Sequence, residues 1–582
     1  MDKVKLLCKS IREYKKDSFL SMFYVLLEVI CEVSVPFLMS MAVDNGIQKG
    51  DQNYTIILCV IMLIMTVFSF LTGVLAGFSA SKASCGFAKN LRSDMYKKIQ
   101  TYSFNNIDKF STASIVTRLT TDSINVQNAY IMIIRTAIRA PIMLVAALIL
   151  SFINNYIIGL CYLVMAIILG FLLIFIASKA HPYFQQGVTT YDDLNGVVQE
   201  NLQGIRVVKS FVTEDKENGK FQKISTKIFK LMSSGERVVA FNNPVVQFVI
   251  YVMMLLLSYF GARFIVVNGT MTTGQLSSSI SYAWMILNTL IMISMIFVNI
   301  IIARTSVDRI VAILTEQSDI VNNDHPIMEV KDGSVEFNDV TFFYAKSSEK
   351  PVLDHVSFKI ESGQTVGIVG GTGSSKSSLI SLIARLYDVT SGEVKVGGVN
   401  VKDYDLASLR DKVSVVLQKN TLFSGSIKDN LRWGNPNATD EEIVHACELA
   451  QAAPFIEQFP YKYDTYIEQG GTNVSGGQKQ RLCIARALLK SPDILILDDS
   501  TSAVDTKTDS LIRKAFKEDI PNVTKFIVAQ RISSVQDADV ILVLDGGKLV
   551  NIGNHEQLLK TSEIYADMYN TQTNKGVDKN GK

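Results

Sequence analysis

Six long apolar runs in the first half of the chain constrain its fold more than any other feature. They cover residues 19–43, 54–80, 131–153, 156–178, 245–267 and 280–302. Each is long enough to cross the hydrocarbon core of a membrane, which takes about 20 residues of α-helix. Since lipid offers no partner to backbone N–H and C=O groups, runs of this length must form helices there. The sequence therefore predicts a domain of six transmembrane helices.

The segments between these runs predict the orientation of the domain. The short connections 43–53, 154–155 and 268–275 contain Lys49 as their only basic residue. The long connections 81–130 and 179–244 carry many Lys and Arg, and so does the N-terminus. Basic residues mark the cytoplasmic side, so the N-terminus, both long connections and the second half of the chain are expected in the cytoplasm. No small-residue cleavage site follows a short apolar core, which predicts an uncleaved, multi-pass membrane protein rather than a signal peptide.

Composition excludes several classes of protein. Hydrophobic residues make up 48% of the chain and the formal net charge is +2, which argues against a nucleic acid or other polyanion as partner. The seven cysteines lack a CxxC spacing, so the sequence predicts neither a disulfide framework nor a zinc site.

Two acidic residues interrupt the first apolar run. Glu28 and Glu32 lie one helical turn apart, on one face of the predicted helix. Acids within a membrane are candidates for function, here for contact with a cationic substrate. The alternative is that they line a water-filled cytoplasmic part of the helix, and the sequence leaves both open.

A glycine-rich bend in the second half predicts a phosphate-binding loop. The mostly β-branched residues at 366–369 indicate a buried strand, and a helical pattern begins near Leu379. Between them lie Gly370, Gly371, Thr372, Gly373, Ser374, Ser375, Lys376, Ser377 and Ser378. In such a loop, N–H groups and the helix N-terminus bind the anion, Lys376 reaches the β- and γ-phosphates, and the Ser377 hydroxyl holds Mg²⁺. An ordinary glycine turn is the alternative, and the Lys-Ser pair argues against it.

Further chemical motifs follow in order. Asp498 and Asp499 end an apolar strand, where Asp498 is placed to hold the Mg²⁺ shell. Ser475, with the amides of Gly476 and Gly477, begins a second helix able to bind an anion. The other candidate residues are Tyr344 before the phosphate loop, Gln418 after a strand, Gln478 beside the two glycines, Asp505 and Gln530.

In this order and spacing the motifs resemble an ATP-binding cassette (ABC) half-transporter of the multidrug-exporter-like type IV class, over nearly the whole chain. The resemblance implies an all-α six-helix transmembrane domain (1–325) fused to an α/β P-loop nucleotide-binding domain (326–582), with ATP and Mg²⁺ as cofactors. It makes Tyr344 the adenine-stacking residue, Gln418 a Mg²⁺ contact that also touches the membrane domain, and residues 474–478 the signature that faces a partner chain's nucleotide. Residues 502–505 match the D-loop and Gln530 the position of the γ-phosphate-contacting histidine. Residues 115–122 and 200–213 resemble the loops that couple the domains.

Three positions depart from this pattern. The family normally has Glu where this chain has Asp499, which withdraws the carboxylate by about 1.5 Å from the attacking water. Gln530 replaces the histidine, and an amide cannot carry a titratable proton. Ser375 replaces a glycine and is strained only if its φ is positive, which the sequence does not decide.

Asp499 and Gln530 together resemble the degenerate subunit of heterodimeric bacterial exporters. The sequence therefore predicts ATP-driven export of hydrophobic, amphipathic or cationic small molecules, with this chain's own ATP site slow and its catalytic set (Asp499, Gln530, Gln418, Ser475, Asp505) shared with a second half-transporter. That partner would carry the usual Glu and His. A homodimeric lipid or peptide flippase and an ATP-gated channel or sensor remain alternatives.

Overall fold

The computed structural model describes residues 2–344, 350–499 and 504–574. The chain divides into two compact units. The membrane unit comprises Met1–Gln100 and Thr112–Glu316, and the nucleotide unit comprises Thr101–Ser111 and Gln317–Lys582. Residues 317–325 thus pack with the nucleotide unit, although the sequence assigned them to the membrane domain. The domain limits 1–325 and 326–582 stay a prediction.

Helices of 6 to 49 residues build the first half of the chain, the longest of them over the predicted apolar runs. They are α1 Asp2–Cys8, α2 Lys15–Met41, α3 Gln52–Gln100, α4 Phe104–Phe110, α5 Thr112–Thr117, α6 Ser123–Ile131, α7 Ala137–Asn154, α8 Tyr156–Gln203, α9 Ile205–Ser210, α10 Glu214–Ala240, α11 Asn242–Val266 and α12 Thr273–Thr315. Among the described residues, 6 helical spans are long and apolar enough to cross a membrane. The prediction of six membrane helices is confirmed, and α3 and α8 continue far beyond their apolar runs.

Short π-helical turns interrupt this regular pattern. They lie at Ala42–Ile47, Arg118–Asp122 and Met132–Thr136. Such turns are rare and recur at functional sites. The last one directly precedes α7 and contains Arg135.

The core of the membrane unit contains polar groups that are satisfied between helices. Val25, Leu169 and Tyr282 are fully buried in it. The Tyr162 hydroxyl donates to the carbonyl of Ser279 at 2.7 Å, and the Tyr282 hydroxyl donates to the carbonyl of Val33 at 3.2 Å. Because lipid cannot solvate these groups, such bonds fix which helix faces meet.

The second half alternates strands and helices. The strands are β1 Val335–Phe342, β2 Leu353–Ile360, β3 Thr365–Gly370, β4 Ser391–Val396, β5 Val399–Asn400, β6 Val413–Val416, β7 Gly425–Ser426, β8 Tyr466–Ile467, β9 Ile494–Asp498, β10 Thr524–Val528, β11 Val540–Asp545 and β12 Lys548–Gly553. The helices are α13 Lys376–Ile383, α14 Leu406–Lys412, α15 Ile427–Leu431, α16 Asp440–Leu449, α17 Ala453–Ile456, α18 Gly476–Leu488, α19 Thr506–Glu518, α20 His555–Thr561 and α21 Glu563–Asn574. The α/β prediction is confirmed.

A six-stranded sheet in the order β12-β11-β3-β10-β9-β6 organises the nucleotide unit. The pairs from β11 through β6 are parallel, so their carboxyl ends lie at one edge. Both faces are covered, because Ile494 and Ile496 belong to one hydrophobic core while Leu495 and Leu497 belong to the other. A strand buried on both faces reads as a continuous apolar run, which is what the sequence shows before Asp498. A second, four-stranded sheet has the order β2-β1-β4-β5.

One segment of the first half packs within the nucleotide unit. In Thr101–Ser111, the Asp108 carboxylate accepts a hydrogen bond from the Tyr387 hydroxyl at 3.1 Å. Ser103 donates a short hydrogen bond to Asp319 and caps α4. This segment precedes residues 115–122, which the resemblance selected as a coupling loop and which belong to the membrane unit.

Candidate functional site

The parallel strands bring the predicted ATP-site residues to one edge of the sheet. Val528 of β10 lies opposite Ile368 of β3 on one side and Asp498 of β9 on the other. Val416 of β6 pairs with Leu497, so Gln418 follows at the same edge. In sheets of this kind ligands bind at the carboxyl ends of the strands. The phosphate loop, Asp498, Asp499, Gln418 and Gln530 therefore lie at the same edge of the sheet.

The phosphate loop joins β3 to α13. The Lys376 ammonium donates to the carbonyls of Gly370 and Gly371, both at 2.8 Å, and to the Ser374 hydroxyl at 3.2 Å. Burial lowers the pKa of Lys376, and the charges of Asp498 and Asp499 oppose that shift. Among the other loop positions, Ser378 is buried, whereas Gly371, Thr372 and Gly373 are exposed to incoming ligand.

The backbone of this loop is left-handed at two positions. Gly373 has φ +82° and Ser375 has φ +70°. Glycine adopts such angles freely, whereas a residue with a Cβ pays roughly 1–2 kcal/mol. Ser375 receives no compensating capping bond, because its side chain makes none to α13. Ser375 therefore has the positive φ at which a serine in this position is strained.

Two oxygen ligands converge beside the loop. The Ser377 hydroxyl donates to Oδ1 of Asp498 at 3.0 Å. Burial raises the pKa of Asp498, the Ser377 hydrogen bond opposes that shift, and the neighbouring Asp499 adds to it. A hydroxyl and a carboxylate are hard oxygen donors, and Mg²⁺ at nucleotide sites takes few protein ligands besides phosphates. Ser377 and Asp498 thus fit Mg²⁺, and Gln418 stands exposed at the same edge.

Two of the three positions that depart from the family pattern, Asp499 and Gln530, contact each other. The Gln530 amide donates to Oδ2 of Asp499 at 2.9 Å. Asp499 has φ +49°, a conformation that Asp tolerates better than most residues. Its carboxylate is therefore held by the residue that occupies the histidine position.

Two glutamines that the sequence reasoning missed support this pair. The Gln480 amide donates to the backbone carbonyl of Asp499 at 3.1 Å. Gln572 of α21 donates to the carbonyl of Gln530 at 3.0 Å and accepts from the N–H of Ile532 at 2.9 Å. The sequence held a signal for Gln480, because a glutamine on the buried face of α18, beside Cys483 and Ile484, needs a hydrogen-bond partner. Nothing in the sequence around Gln572 indicated its contact.

Tyr344 lies beside the phosphate-loop helix. Its hydroxyl is 2.9 Å from the Ser378 hydroxyl, and its exposed ring meets the ring of Tyr387 edge-on, with 5.1 Å between centroids. An exposed ring face next to the loop suits stacking of a base. Tyr387 also bonds Asp108, so Thr101–Ser111 and the aromatic cluster are directly connected.

Ser475 begins α18 as a capping box. Its hydroxyl accepts from the N–H of Gln478 at 3.3 Å, and the Gln478 side chain accepts from the N–H of Ser475 at 2.9 Å. Ser475 and Gly476 are exposed, so the helix N-terminus is open to an anion. Lys479 donates to the carbonyl of Gly470 at 2.6 Å and fixes the approach to this turn.

Asp505 has a structural partner in the described chain. It caps α19 by accepting from the N–H of Thr508 at 3.0 Å, and the Thr508 side chain lowers its pKa. Ser502 and Ala503, the other named members of the predicted D-loop, lie outside the described residues.

Comparison with known proteins matches both units. Residues 18–300 match the model of the ABC transporter transmembrane region, and residues 353–502 match the ABC transporter model. An uncharacterized ABC transporter ATP-binding protein of Bacillus subtilis, YfiB, is 34% identical over 97% of this chain and 97% of its own. A Staphylococcus aureus protein named "Putative multidrug export ATP-binding/permease protein" is 36% identical over 65% of this chain and 66% of its own. The structure of a bacterial Atm1-family ABC exporter with ATP bound has a TM-score of 0.84 at 22% identity, covering 96% of this chain and 98% of that one.

Proposed function

This chain belongs to the ABC transporters, with the membrane region and the transport-coupled ATPase in one polypeptide, and from that premise we propose that it is one half of a heterodimeric exporter whose own ATP site is degenerate. In this role the chain binds ATP firmly, hydrolyses it slowly, and completes the productive site of its partner.

The hydrogen bond between Gln530 and Asp499 carries the proposal. A general base must lie within hydrogen-bond reach of the water that it activates. Asp499 is one methylene shorter than Glu, and its Oδ2 accepts from the Gln530 amide at 2.9 Å. The Gln530 amide donates a hydrogen bond but cannot exchange a proton with substrate or carboxylate. Both changes act on one step, hydrolysis.

By contrast, the side chains proposed to bind ATP and Mg²⁺ lie together at the phosphate loop. The Lys376 ammonium lies over the phosphate loop, and Ser377 and Asp498 present two oxygens 3.0 Å apart. Bound Mg²⁺ would neutralise phosphate charge there, with these two residues holding it. The Tyr344 ring supplies a stacking face. These features support long-lived binding of ATP.

The signature residues support the role toward a partner. Ser475 and Gln478 form an intact capping box, and the exposed N-terminus of α18 suits the phosphates of a nucleotide held by another subunit. Export of hydrophobic or amphipathic compounds is proposed as the direction and cargo class, in keeping with the name of the Staphylococcus aureus relative.

The test is nucleotide trapping by each subunit of the complex. The tagged chain is purified from its own cells with any bound half-transporter, and photoreactive ATP trapped with vanadate is measured on each polypeptide. We expect trapping on the partner to exceed trapping on this chain. The double variant Asp499→Glu/Gln530→His should raise turnover here by about 10²-fold or more, the benefit of a placed acid–base group. The matched control is Asp545→Glu/Gln536→His, at two exposed positions of the same unit.

Three outcomes separate the alternatives. Equal turnover at both unaltered sites contradicts the degenerate-site proposal. A complex that contains only this chain and still transports lipid or peptide favours the homodimeric flippase. Ion conductance that responds to ATP without sustained hydrolysis favours the gated channel.

A further inference from the structure

A cavity of about 750 Å³ lies in the membrane unit. It is formed by α2, α3 and the segment around the π-helical turn Met132–Thr136. Its size falls within the usual range for small-molecule sites, roughly 300–1,000 Å³. Its wall combines Glu28, Glu32, Arg135 and Arg139 with large apolar side chains.

Arg139 contacts both of the acids on which the cationic-substrate hypothesis depends. Its guanidinium lies 2.5 Å from Oε2 of Glu32 and 3.5 Å from Oε1 of Glu28. A carboxylate that is paired within the protein offers little attraction to an incoming cation. With Arg135 on the same wall, two arginines balance the two acids, so no net negative charge is left to attract a cation.

Arg135 is the cation that remains available. It lies one helical turn before Arg139, in the π-helical turn, and its guanidinium reaches the small face of α3 at Gly77. Among the hydrogen bonds and ion pairs of the described chain, none engages the Arg135 guanidinium. Arginine in a partly apolar setting prefers a carboxylate or phosphate as partner.

Glu28 adds a second requirement for a ligand of this cavity, a hydrogen-bond donor. The residue is only 9% exposed, and its Oε2 is buried without a hydrogen-bond partner. Gly73 allows this close approach, since a Cβ there would lie 3.2 Å from Oε1 of Glu28. A buried acceptor without a partner favours a ligand that brings an N–H or O–H donor.

The wall also has a large apolar part beside its hydroxyl side chains and glycines. Phe70, Val74 and Phe78 line the cavity and are 68%, 40% and 74% exposed. These side chains suit an alkyl or aromatic tail next to the charged cluster.

We propose that this cavity binds amphiphiles whose head group combines an anion with an adjacent N–H or O–H donor, the anion pairing with Arg135 and the donor with Glu28. The proposal assigns a substrate class to the exporter and rests on the proposed function in that respect only. Binding itself requires neither ATP hydrolysis nor asymmetry between ATP sites.

The test uses three probes with the same chain length below their micelle concentrations. N-lauroylglycine carries a carboxylate and an amide N–H, N-lauroylsarcosine replaces that N–H by N–CH₃, and dodecyltrimethylammonium reverses the charge. Binding is measured by calorimetry to the full-length protein in phosphatidylcholine nanodiscs without ATP. We expect N-lauroylglycine to bind roughly tenfold more tightly than either of the others.

Variants separate the two contacts. Arg135→Gln should weaken both anionic probes by roughly tenfold or more. Glu28→Met should remove the preference for N-lauroylglycine over N-lauroylsarcosine. Arg139→Gln, which releases two carboxylates, should turn the preference toward dodecyltrimethylammonium. The matched control, Arg263→Gln at an exposed position of α11, should change nothing.

Added phosphatidylglycerol, whose head group has a phosphate and hydroxyls, identifies the source. Competition by it indicates a ligand drawn from the bilayer, and lack of competition indicates a soluble one; either supports the site. Equal or tighter binding of the cation by the unaltered protein overturns the proposal, and so does unchanged anion binding by a folded Arg135→Gln. Either failure, with asymmetric nucleotide trapping intact, leaves the proposed function standing.

Discussion

Asp498 and Asp499 in the nucleotide unit, and Glu28 and Glu32 in the membrane unit, each form a pair of carboxylates with a basic side chain nearby, but the basic side chains make different contacts. In the nucleotide unit, the Lys376 ammonium bonds to the loop carbonyls rather than to Asp498. In the membrane unit, Arg139 contacts both Glu28 and Glu32. Lys376 therefore leaves Asp498 unpaired with it, as the proposed role of Asp498 as a Mg²⁺ ligand requires, whereas Glu28 and Glu32 share the charge of Arg139. What each site attracts therefore depends on the groups that its basic side chain, Lys376 or Arg139, contacts, and not only on the number of acids.

The largest effect is expected from the removal of Arg139, the cation that contacts Glu28 and Glu32. Arg139→Ala leaves buried Glu28 without its counter-ion and should destabilise the protein by about 3 kcal/mol, the low end for a broken buried pair. The low end applies because the Glu32 side chain is 39% exposed. Melting of the full-length protein in nanodiscs measures the loss.

The control removes the charges that are left behind. Adding Glu28→Gln and Glu32→Gln to Arg139→Ala should recover most of the stability, since no uncompensated carboxylate remains. If Arg139→Ala melts like the unaltered protein, the ion pairs do not stabilise the membrane unit and the comparison fails.

Lys376→Ala tests the other cation. The loss of a charge-assisted contact to phosphate should weaken ATP binding by about 10- to 100-fold. Its effect on melting without nucleotide should be smaller than that of Arg139→Ala, because Lys376 holds no acid in an ion pair. Binding of a fluorescent ATP analogue to the full-length protein is the measurement, with exposed Lys560→Ala of α20 as control. Unchanged affinity would contradict the role of the loop.

Asp498→Asn tests whether the buried charge of Asp498 destabilises the nucleotide-free fold. Burial raises the pKa of Asp498, so its charged form destabilises the nucleotide-free fold at neutral pH. That cost fades as the pH falls through the raised pKa toward the ordinary value of about 4. The variant should therefore melt higher at pH 7, by about 2–4 °C for each kcal/mol, and gain less as the pH is lowered.

Asp498→Asn should also lose the stabilisation by ATP with Mg²⁺, since the metal ligand is gone. Exposed Asp519→Asn serves as control and should show neither change. A gain in melting temperature that is the same at all pH values would argue against a charge effect.

The residues at the nucleotide edge could be proposed from the sequence because each part has a local signal. A strand, a glycine bend and a Lys-Ser pair are contiguous, and parallel strands must end at one edge, so Asp498 and Gln418 fall beside the loop. The contact between Gln530 and Asp499 spans 31 residues and needed the side chains. The sequence identified both residues but not that they bond.

The membrane cavity was less predictable for a physical reason. Glu32 and Arg139 lie 107 residues apart on different helices, and the rotation of each helix decides whether they meet. Apolar runs fix that a helix exists and leave its rotation open, because nearly every face is apolar. The acids alone therefore suggested a cation, and their contacts with Arg139 could not be predicted.

Ser375 gives the smallest expected effect and settles a question that the sequence left open. Its φ of +70° is a conformation that costs a residue with a Cβ roughly 1–2 kcal/mol, and its side chain makes no capping bond that would offset this. Ser375→Gly should therefore raise the melting temperature by a few degrees, about 2–4 °C per kcal/mol. The adjacent Ser374→Gly is the matched control, because it removes the hydroxyl that accepts from Lys376 and should lower it. If Ser375→Gly melts no higher while ATP affinity rises, the serine acts on the ligand rather than on the fold, and the loop joins Asp499 and Gln530 as a third adaptation of this site.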